Sequence, residues 1–168
     1  GRLWTARAVG KIASLEAKLP NPAPRATRGI AHTRWATHGS VTEENAHPHL
    51  DCKGEIAVVH NGIVENYSAL RALLEKEGHV FRSETDTEVI AHLLEKFYAG
   101  SLCDAVQKAL KMVRGTYGLL AVSAREPDVI VAARHGAPLV LGLGDGEYVL
   151  SSDVAAIVPF TRQVVYFD

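Results

Sequence analysis

The sequence has 168 residues, 47% of them apolar, which is enough for the core of one globular domain without a disulfide scaffold. Eighteen lysines and arginines are balanced by nineteen aspartates and glutamates, and the formal charge of −1 provides no overall field that favours nucleic acid or an anionic membrane. The chain contains no run of about twenty apolar residues and no signal-peptide pattern, so we expect a cytoplasmic protein whose two cysteines are reduced.

The first third of the chain is predicted to contain short elements separated by loops. Residues 3–9 (LWTARAV) are interpreted as a strand and residues 11–19 as a short helix. The proline-rich segment 20–24 then ends regular structure, because proline lacks a hydrogen-bond donor and fixes φ. The β-prone residues 30–35 predict a second strand, and the polar stretch 37–54 predicts a long loop. A loop of that length in a compact domain is usually functional or disordered.

An apolar strand is predicted at residues 55–60, ending at Asn61-Gly62. This dipeptide is the commonest hairpin signal, and it is also found where backbone must approach a ligand closely. The next segment has helical periodicity, whereas a hairpin needs a second strand there, so the sequence disfavours a hairpin.

Three amphipathic helices are the clearest elements of the sequence. The first is predicted to begin near Asn66 and to end at Gly78. The second begins with the capping-box pattern Thr85-x-x-Glu88. The third begins with the Ser-x-x-Asp pattern of residues 101–104.

After residue 115 the apolar pattern changes to short runs, which predict an antiparallel meander. The runs are residues 117–123, 129–133, 138–143, 148–151 and 162–167, with one helical turn at 152–157. The order of strand, helices and further strands favours an α+β layered sandwich over a doubly wound sheet.

Histidine is concentrated in the polar region, where five of the eight occur: His32, His38, His47, His49 and His60. Imidazole is the commonest zinc ligand, yet the spacing contains no helical pair of the H-E-x-x-H type and no cysteine at ligand spacing. We therefore predict no metal site and expect most of these rings to hydrogen-bond to backbone within an ordered loop.

Two charged residues are candidates for holding a zwitterionic ligand. The planar fork of Arg34, next to Trp35, suits a carboxylate, and the alternative is a structural salt bridge beside a core tryptophan. Asp86 could accept a substrate ammonium group, and the alternative is a carboxylate that complements the dipole of the following helix. The residues alone leave both pairs of alternatives open.

The polar groups of Asn61 and Gly62 could form an oxyanion hole, which needs preorganised donors aimed at a developing negative charge. With the carboxylate and ammonium contacts, such a pocket would bind an amino acid and polarise a carbonyl on its side chain, which suggests amide hydrolysis. A nucleophile is missing, because Cys52 is predicted to lie in a turn without a neighbouring base and Cys103 in the core face of a helix.

Four motifs closely resemble, in the same order, those of the glutaminase domain of glucosamine-6-phosphate synthases. They are residues 32–39 (HTRWATHG), 45–49 (NAHPH), 60–66 (HNGIVEN) and 83–88 (SETDTE). Related class II glutamine amidotransferases, such as the amidophosphoribosyltransferases, carry different residues at the first motif and are the alternative within the family.

The resemblance implies the fold of the N-terminal-nucleophile hydrolases, an α+β four-layer αββα sandwich with two antiparallel sheets. It also implies that glutamine is the substrate and that no cofactor is needed. The roles it assigns are the following: Arg34 grips the α-carboxylate with help from Thr37 and His38, Trp35 belongs to the loop that covers the site, Asp86 holds the α-amino group, and Asn61 and Gly62 form the oxyanion hole.

In this family the nucleophile is a cysteine at the mature N-terminus whose own α-amino group is the general base. Gly1 cannot take that role, so the chain as given is interpreted as a partial domain over 1–168, without its first strand and helix, and inactive alone. The resemblance further implies that ammonia passes to an isomerase domain of the same polypeptide, which converts fructose 6-phosphate to glucosamine 6-phosphate in hexosamine biosynthesis. The full-length enzyme is expected to be a homodimer.

Two hypotheses from other classes remain. One is a non-catalytic glutamine-binding or regulatory module, which keeps the amino-acid contacts without the chemistry. The other is a metal-dependent hydrolase.

Overall fold

A computed structural model describes residues 1–35 and 39–167. The elements in chain order are α1 (Ile12–Glu16), β1 (His49–Leu50), β2 (Ile56–Val64), α2 (Tyr67–Lys76), α3 (Glu88–Phe97), α4 (Leu102–Leu110), β3 (Gly115–Ser123), β4 (Glu126–His135), β5 (Val140–Leu143), β6 (Tyr148–Ser151) and β7 (Val164–Tyr166), with a 3₁₀ turn at Val154–Ala156. Within the described ranges no helix is long and apolar enough to cross a bilayer.

The strands form two antiparallel sheets, with orders β1-β2-β3-β4 and β6-β5-β7. This confirms the predicted α+β class with antiparallel sheets. The single meander predicted after residue 115 is wrong, because β3 and β4 extend the sheet begun by β1 and β2, while β5 to β7 form a sheet of their own. The division into two sheets depends on which strands pair, and paired strands can be far apart in sequence. The apolar pattern of a strand does not predict its pairing partner.

The main core lies between helices α2 to α4 and one face of the four-stranded sheet. Because successive strand residues point to opposite faces, Val58 and Leu119 are fully buried against the helices. Their neighbours Val59 and Leu120 line a cavity on the other face of the sheet. The same two strands thus build the core on one side and a ligand-sized space on the other.

Helices α2 and α4 begin where the sequence predicts. The Ser101 hydroxyl accepts a hydrogen bond from the Asp104 N–H at 3.2 Å, which caps α4. Asn66 precedes α2, but its side chain bonds the connection between α4 and β3, donating to the carbonyl of Met112 and accepting from the N–H of Arg114, both at 2.9 Å.

The capping box predicted at Thr85 is wrong, because α3 begins two residues later, after Thr87. The Glu88 carboxylate instead accepts from the backbone N–H groups of Arg82 at 2.8 Å and Ser83 at 2.7 Å. The Thr85 hydroxyl faces the ring of His49. These longer-range contacts hold the segment before α3 in place of a local cap.

The strands predicted at residues 3–9 and 30–35 are also wrong, since both segments are irregular. A strand needs a neighbour for its backbone groups, and neither segment has one in the described sheets. Trp4 is 50% exposed and Trp35 89% exposed, so their apolar side chains are not buried on a sheet face.

Candidate active site

Five of the seven predicted site residues line one cavity of about 720 Å³ between the two sheets: Arg34, Trp35, Asn61, Gly62 and Asp86. The other two, Thr37 and His38, lie outside the described residues. The first sheet supplies β2 and β3 to the wall, and the second supplies Leu150 and Ser151 of β6. The fold therefore brings together groups that the sequence separates by more than fifty positions.

The Arg34 side chain is half-buried and binds the backbone of Gly39 and Ser40. Its guanidinium donates to the carbonyls of Gly39 at 3.2 Å and Ser40 at 3.1 Å. Ser40 in turn donates through its N–H and its hydroxyl to Glu84, at 3.1 and 3.0 Å. The alternative of a core tryptophan is wrong for Trp35, whose side chain extends into solvent at the cavity rim.

Asn61 and Gly62 lie within β2 and not at its end, because the strand continues to Val64 and pairs them with β3. The hairpin explanation is therefore wrong. Gly62 has φ +144°, and a Cβ built on it would lie 2.1 Å from the carbonyl oxygen of Thr116. Glycine is thus required at this position because the backbone of β3 comes so close to it. The other side of the dipeptide faces the cavity.

Asp86 is 5% exposed and fixed to the end of β2, since its Oδ2 accepts from the N–H of Val64 at 2.7 Å. Its neighbour Thr87 presents a hydroxyl to His60 Nδ1 at 3.0 Å and to His47 Nε2 at 3.3 Å. The carboxylate lies two residues before α3, so the position also suits the helix-dipole explanation. Both explanations place a fixed negative group at the cavity wall.

Histidines pack side by side at the cavity wall, which His32, His47 and His60 line. The rings of His32 and His47 are 4.1 Å apart, and those of His47 and His49 are 4.8 Å apart. Burial lowers the pKa of His32, His47 and His60 and lowers the pKa of His49 to about 4. These rings are neutral at pH 7, and Arg34 and Asp86 carry opposite charges in the cavity.

The expected backbone partners of the histidines are wrong for His47 and His49. His49 approaches the hydroxyls of Thr85 at 3.0 Å and Ser83 at 3.5 Å, and His47 approaches Thr87. Backbone contacts are made by His60, whose Nε2 lies 3.2 Å from the oxygen of Thr116, and by His32, which hydrogen-bonds the backbone of His60. The segment from 83 to 87 is thus anchored through its hydroxyls.

Among the described residues that line the cavity there is no cysteine. Cys103 is exposed on α4, so its predicted core position is wrong. The prediction that Cys52 has no neighbouring base is also wrong, since its Sγ lies 3.5 Å from His92 Nδ1 and 3.7 Å from His79 Nδ1. Burial raises the pKa of the Cys52 thiol, as does Glu95, which is the opposite of an activated nucleophile.

Cys52, His79, His92 and Glu95 form a second group of functional side chains, the Cys52 cluster, and none of them lines the cavity. Their potential ligand atoms all lie within 4.8 Å of one another. The sequence offers one local signal for this group, the three-residue spacing that puts His92 and Glu95 on one face of α3. Sequence reasoning missed the group because Cys52 and His79 reach it from other segments.

Comparison with known proteins identifies a matching family model, described as a glutamine amidotransferase domain, over residues 32–159. Two similar relatives are named glutamine–fructose-6-phosphate aminotransferase (isomerizing). The protein from Symbiobacterium thermophilum is 52% identical over 168 residues, all of this chain, and that from Methanothermobacter thermautotrophicus is 56% identical over 161 residues, 95% of it. The chain spans 28% and 27% of the lengths of these relatives.

Solved structures with a similar fold include the glutamine phosphoribosylpyrophosphate amidotransferase from B. subtilis, complexed with ADP and GMP. It matches 81% of this chain and 29% of its own, with 30% identity and a TM-score of 0.66. A structure described as the allosteric regulatory enzyme of purine biosynthesis matches 81% of this chain and 30% of its own, with 30% identity and a TM-score of 0.67.

Proposed function

The chain belongs to the glutamine amidotransferase domain family, and from this premise we propose that it is the glutaminase part of an isomerizing glutamine–fructose-6-phosphate aminotransferase. The observation that carries the proposal is identity of 52% over the whole chain with a relative of that name, against 30% with the phosphoribosylpyrophosphate amidotransferase. The fold is the α+β N-terminal-nucleophile hydrolase fold that the motifs predict. Glutamine is the substrate that this family implies.

In the proposed complex the two charged ends of glutamine bind to opposite charges in the cavity. The guanidinium of Arg34 holds the α-carboxylate, and the carboxylate of Asp86 holds the α-ammonium group. Their backbone contacts support this arrangement, because Arg34 is held by the carbonyl of Ser40 and Asp86 by the N–H of Val64 at the end of β2. A fixed pair of contacts orients the side-chain amide toward Asn61 and Gly62.

In the proposed reaction a thiolate attacks the side-chain carbonyl carbon of glutamine, and the oxygen becomes an oxyanion. The side-chain NH₂ of Asn61 and the N–H of Gly62 stabilise that charge. The C–N bond then breaks, the amide nitrogen takes a proton and leaves as ammonia, and water hydrolyses the thioester to glutamate. Because the cavity contains no described cysteine, we infer that the thiol belongs to a part of the protein outside this sequence.

We further propose that residues 1–168 are part of a glutaminase domain and that ammonia passes from it to an isomerase domain of the same polypeptide. Supporting this, the relatives are about three to four times as long as the chain and carry the name of the complete reaction. Homodimerisation of the full-length enzyme is part of the same proposal.

The test is an assay of the intact protein with glutamine and fructose 6-phosphate. We expect glutamate and glucosamine 6-phosphate in equal amounts. Absence of glutamate in the presence of the sugar phosphate contradicts the proposal. Glutamine binding by calorimetry without turnover identifies a non-catalytic module, and turnover that requires phosphoribosylpyrophosphate identifies the other amidotransferase.

A further inference from the structure

The Cys52 cluster joins three segments of the chain outside the cavity. Cys52 lies in the turn between β1 and β2, and His79 follows the end of α2. His92 and Glu95 lie on α3, where His92 is 1% exposed and Glu95 half-buried. The sulfur, both Nδ1 atoms and a carboxylate oxygen converge on one place.

We propose that the Cys52 cluster is a structural zinc site, with Cys52 Sγ, His79 Nδ1, His92 Nδ1 and Glu95 Oε2 as its four ligands. Cysteine, histidine and carboxylate are the side chains that bind zinc in proteins, and four protein ligands are typical of closed, structural sites.

Four of the six distances between the ligand atoms are close to those of a tetrahedron around one ion, and the other two are within 4.8 Å. With zinc–sulfur bonds of about 2.3 Å and zinc–nitrogen or zinc–oxygen bonds of about 2.0–2.2 Å, tetrahedral angles place S and N about 3.5 Å apart and N and O about 3.4 Å apart. The Sγ to Nδ1 distances are 3.5 Å for His92 and 3.7 Å for His79. The Oε2 to Nδ1 distances are 3.1 Å for His79 and 3.6 Å for His92.

The charges of the cluster also match a divalent cation. Zinc displaces the proton of the Cys52 thiol, which passes to solvent, and the resulting thiolate and the Glu95 carboxylate together supply two negative charges. The N–H of Val80 donates to Cys52 Sγ at 3.5 Å, and that of Cys52 donates to Glu95 Oε2 at 3.2 Å. Both contacts stabilise the anionic forms that bind the ion.

The surroundings of His92 support the same assignment. Its Nε2 is buried without a hydrogen-bond partner in the described part of the chain, and it lies 3.6 Å from Glu88 Oε1. A metal on Nδ1 fixes the proton on Nε2, where it faces that carboxylate. Metal-bound histidines commonly direct their second N–H at a carboxylate in this way, which fixes the ring orientation.

The proposed ion links the turn before β2 to the end of α2 and to α3. Since α3 directly follows Asp86 and Thr87, the site stabilises the element behind one cavity wall without contacting the ligand. We therefore expect zinc to affect stability and not the chemistry.

The first test measures zinc in the intact protein after chelation, reloading with zinc and desalting. We expect the wild type to retain one equivalent more than Cys52→Ser, and Cys103→Ser to retain as much as the wild type, since Cys103 is exposed on α4. Cobalt in place of zinc should give a thiolate charge-transfer band and the strong visible absorption of a four-coordinate site, both lost in Cys52→Ser. Equal metal content in wild type and Cys52→Ser, or absence of the sulfur band in the wild type, overturns the proposal.

The second test needs no variant and so remains valid if Cys52→Ser fails to fold. The wild-type protein is alkylated with iodoacetamide with and without zinc, and each cysteine is quantified by mass spectrometry. We expect zinc to protect Cys52 strongly and to leave Cys103 as reactive as before. At free zinc about 100 times the Kd, the ratio of folded to unfolded protein should rise about 100-fold. Alkylation of Cys52 at the same rate in both conditions shows a metal-free hydrogen-bonded cluster and overturns the proposal.

Discussion

The neutral state of His49 makes the stability of this protein depend on pH in a calculable way. The ring is 2% exposed, and burial lowers its pKa to about 4 from the ordinary 6.5. Between these values the unfolded chain binds a proton that the folded chain does not. The free energy of unfolding is therefore fully retained above pH 6.5 and falls as the pH falls toward 4.

The two pKa values fix the size of the effect. One pKa unit corresponds to about 1.4 kcal/mol, so His49 alone lowers the free energy of unfolding by about 2 kcal/mol between pH 7.5 and pH 5, and by about 3 kcal/mol at pH 4. This is a large share of the roughly 5–15 kcal/mol that stabilises a domain. The other buried histidines shift in the same direction and add to the total loss.

The assay is urea denaturation of wild type and His49→Gln at several pH values between 7.5 and 5, with a chelator present so that metal binding does not contribute. We expect the variant to be less stable at pH 7.5, because it loses ring packing, and the difference from wild type to narrow by about 2 kcal/mol at pH 5. If wild type and His49→Gln lose stability in parallel between pH 7.5 and pH 5, the His49 ring is not held neutral in the folded protein.

Three substitutions test the assigned roles and the packing of the site in the intact protein. For Arg34→Ala we expect mainly a raised KM for glutamine, because a substrate contact is lost, while the exposed Arg162→Ala should keep the wild-type KM. For Asn61→Ala we expect kcat to fall about 10²–10³-fold with KM nearly unchanged, which is the cost of losing one oxyanion-hole donor. A higher KM with unchanged kcat contradicts that role. For Gly62→Ala we expect the free energy of unfolding, measured by urea denaturation, to fall by several kcal/mol. Backbone strain contributes about 1–3 kcal/mol and overlap with β3 about 1–3 kcal/mol. The control Gly29→Ala has open space at its Cβ and should change the free energy of unfolding little.

Local periodicity predicted the secondary structure well where elements are long. The helices at 67–76, 88–97 and 102–110 and the strands of residues 115–135 follow from apolar spacing, because that spacing decides which face each residue presents. The short strands at 140–143 and 148–151 also lie where the sequence predicts strands. Two other short segments were predicted wrongly. Residues 3–9 and 30–35 have strand-like composition, but a strand forms only where a neighbour pairs with its backbone.

The candidate site shows the same division between local and long-range information. The motifs around Arg34, Asn61 and Asp86 predicted the family that the matching family model confirms, because several motifs in the same order along the chain are a specific signal. The tertiary structure placed these residues around one cavity. It also showed that position 62 requires glycine, because a Cβ there would overlap the carbonyl of Thr116 on the neighbouring strand.

The sequence by itself determined the family, the α+β class, the three main helices and five candidate residues that line one cavity. Only the tertiary structure decided where the two cysteines lie, exposed on α4 for Cys103 and beside two histidines for Cys52. The physical reason is that periodicity records which face of an element a side chain occupies. Contacts between residues forty positions apart depend on how the elements pack, which spacing along the chain does not encode.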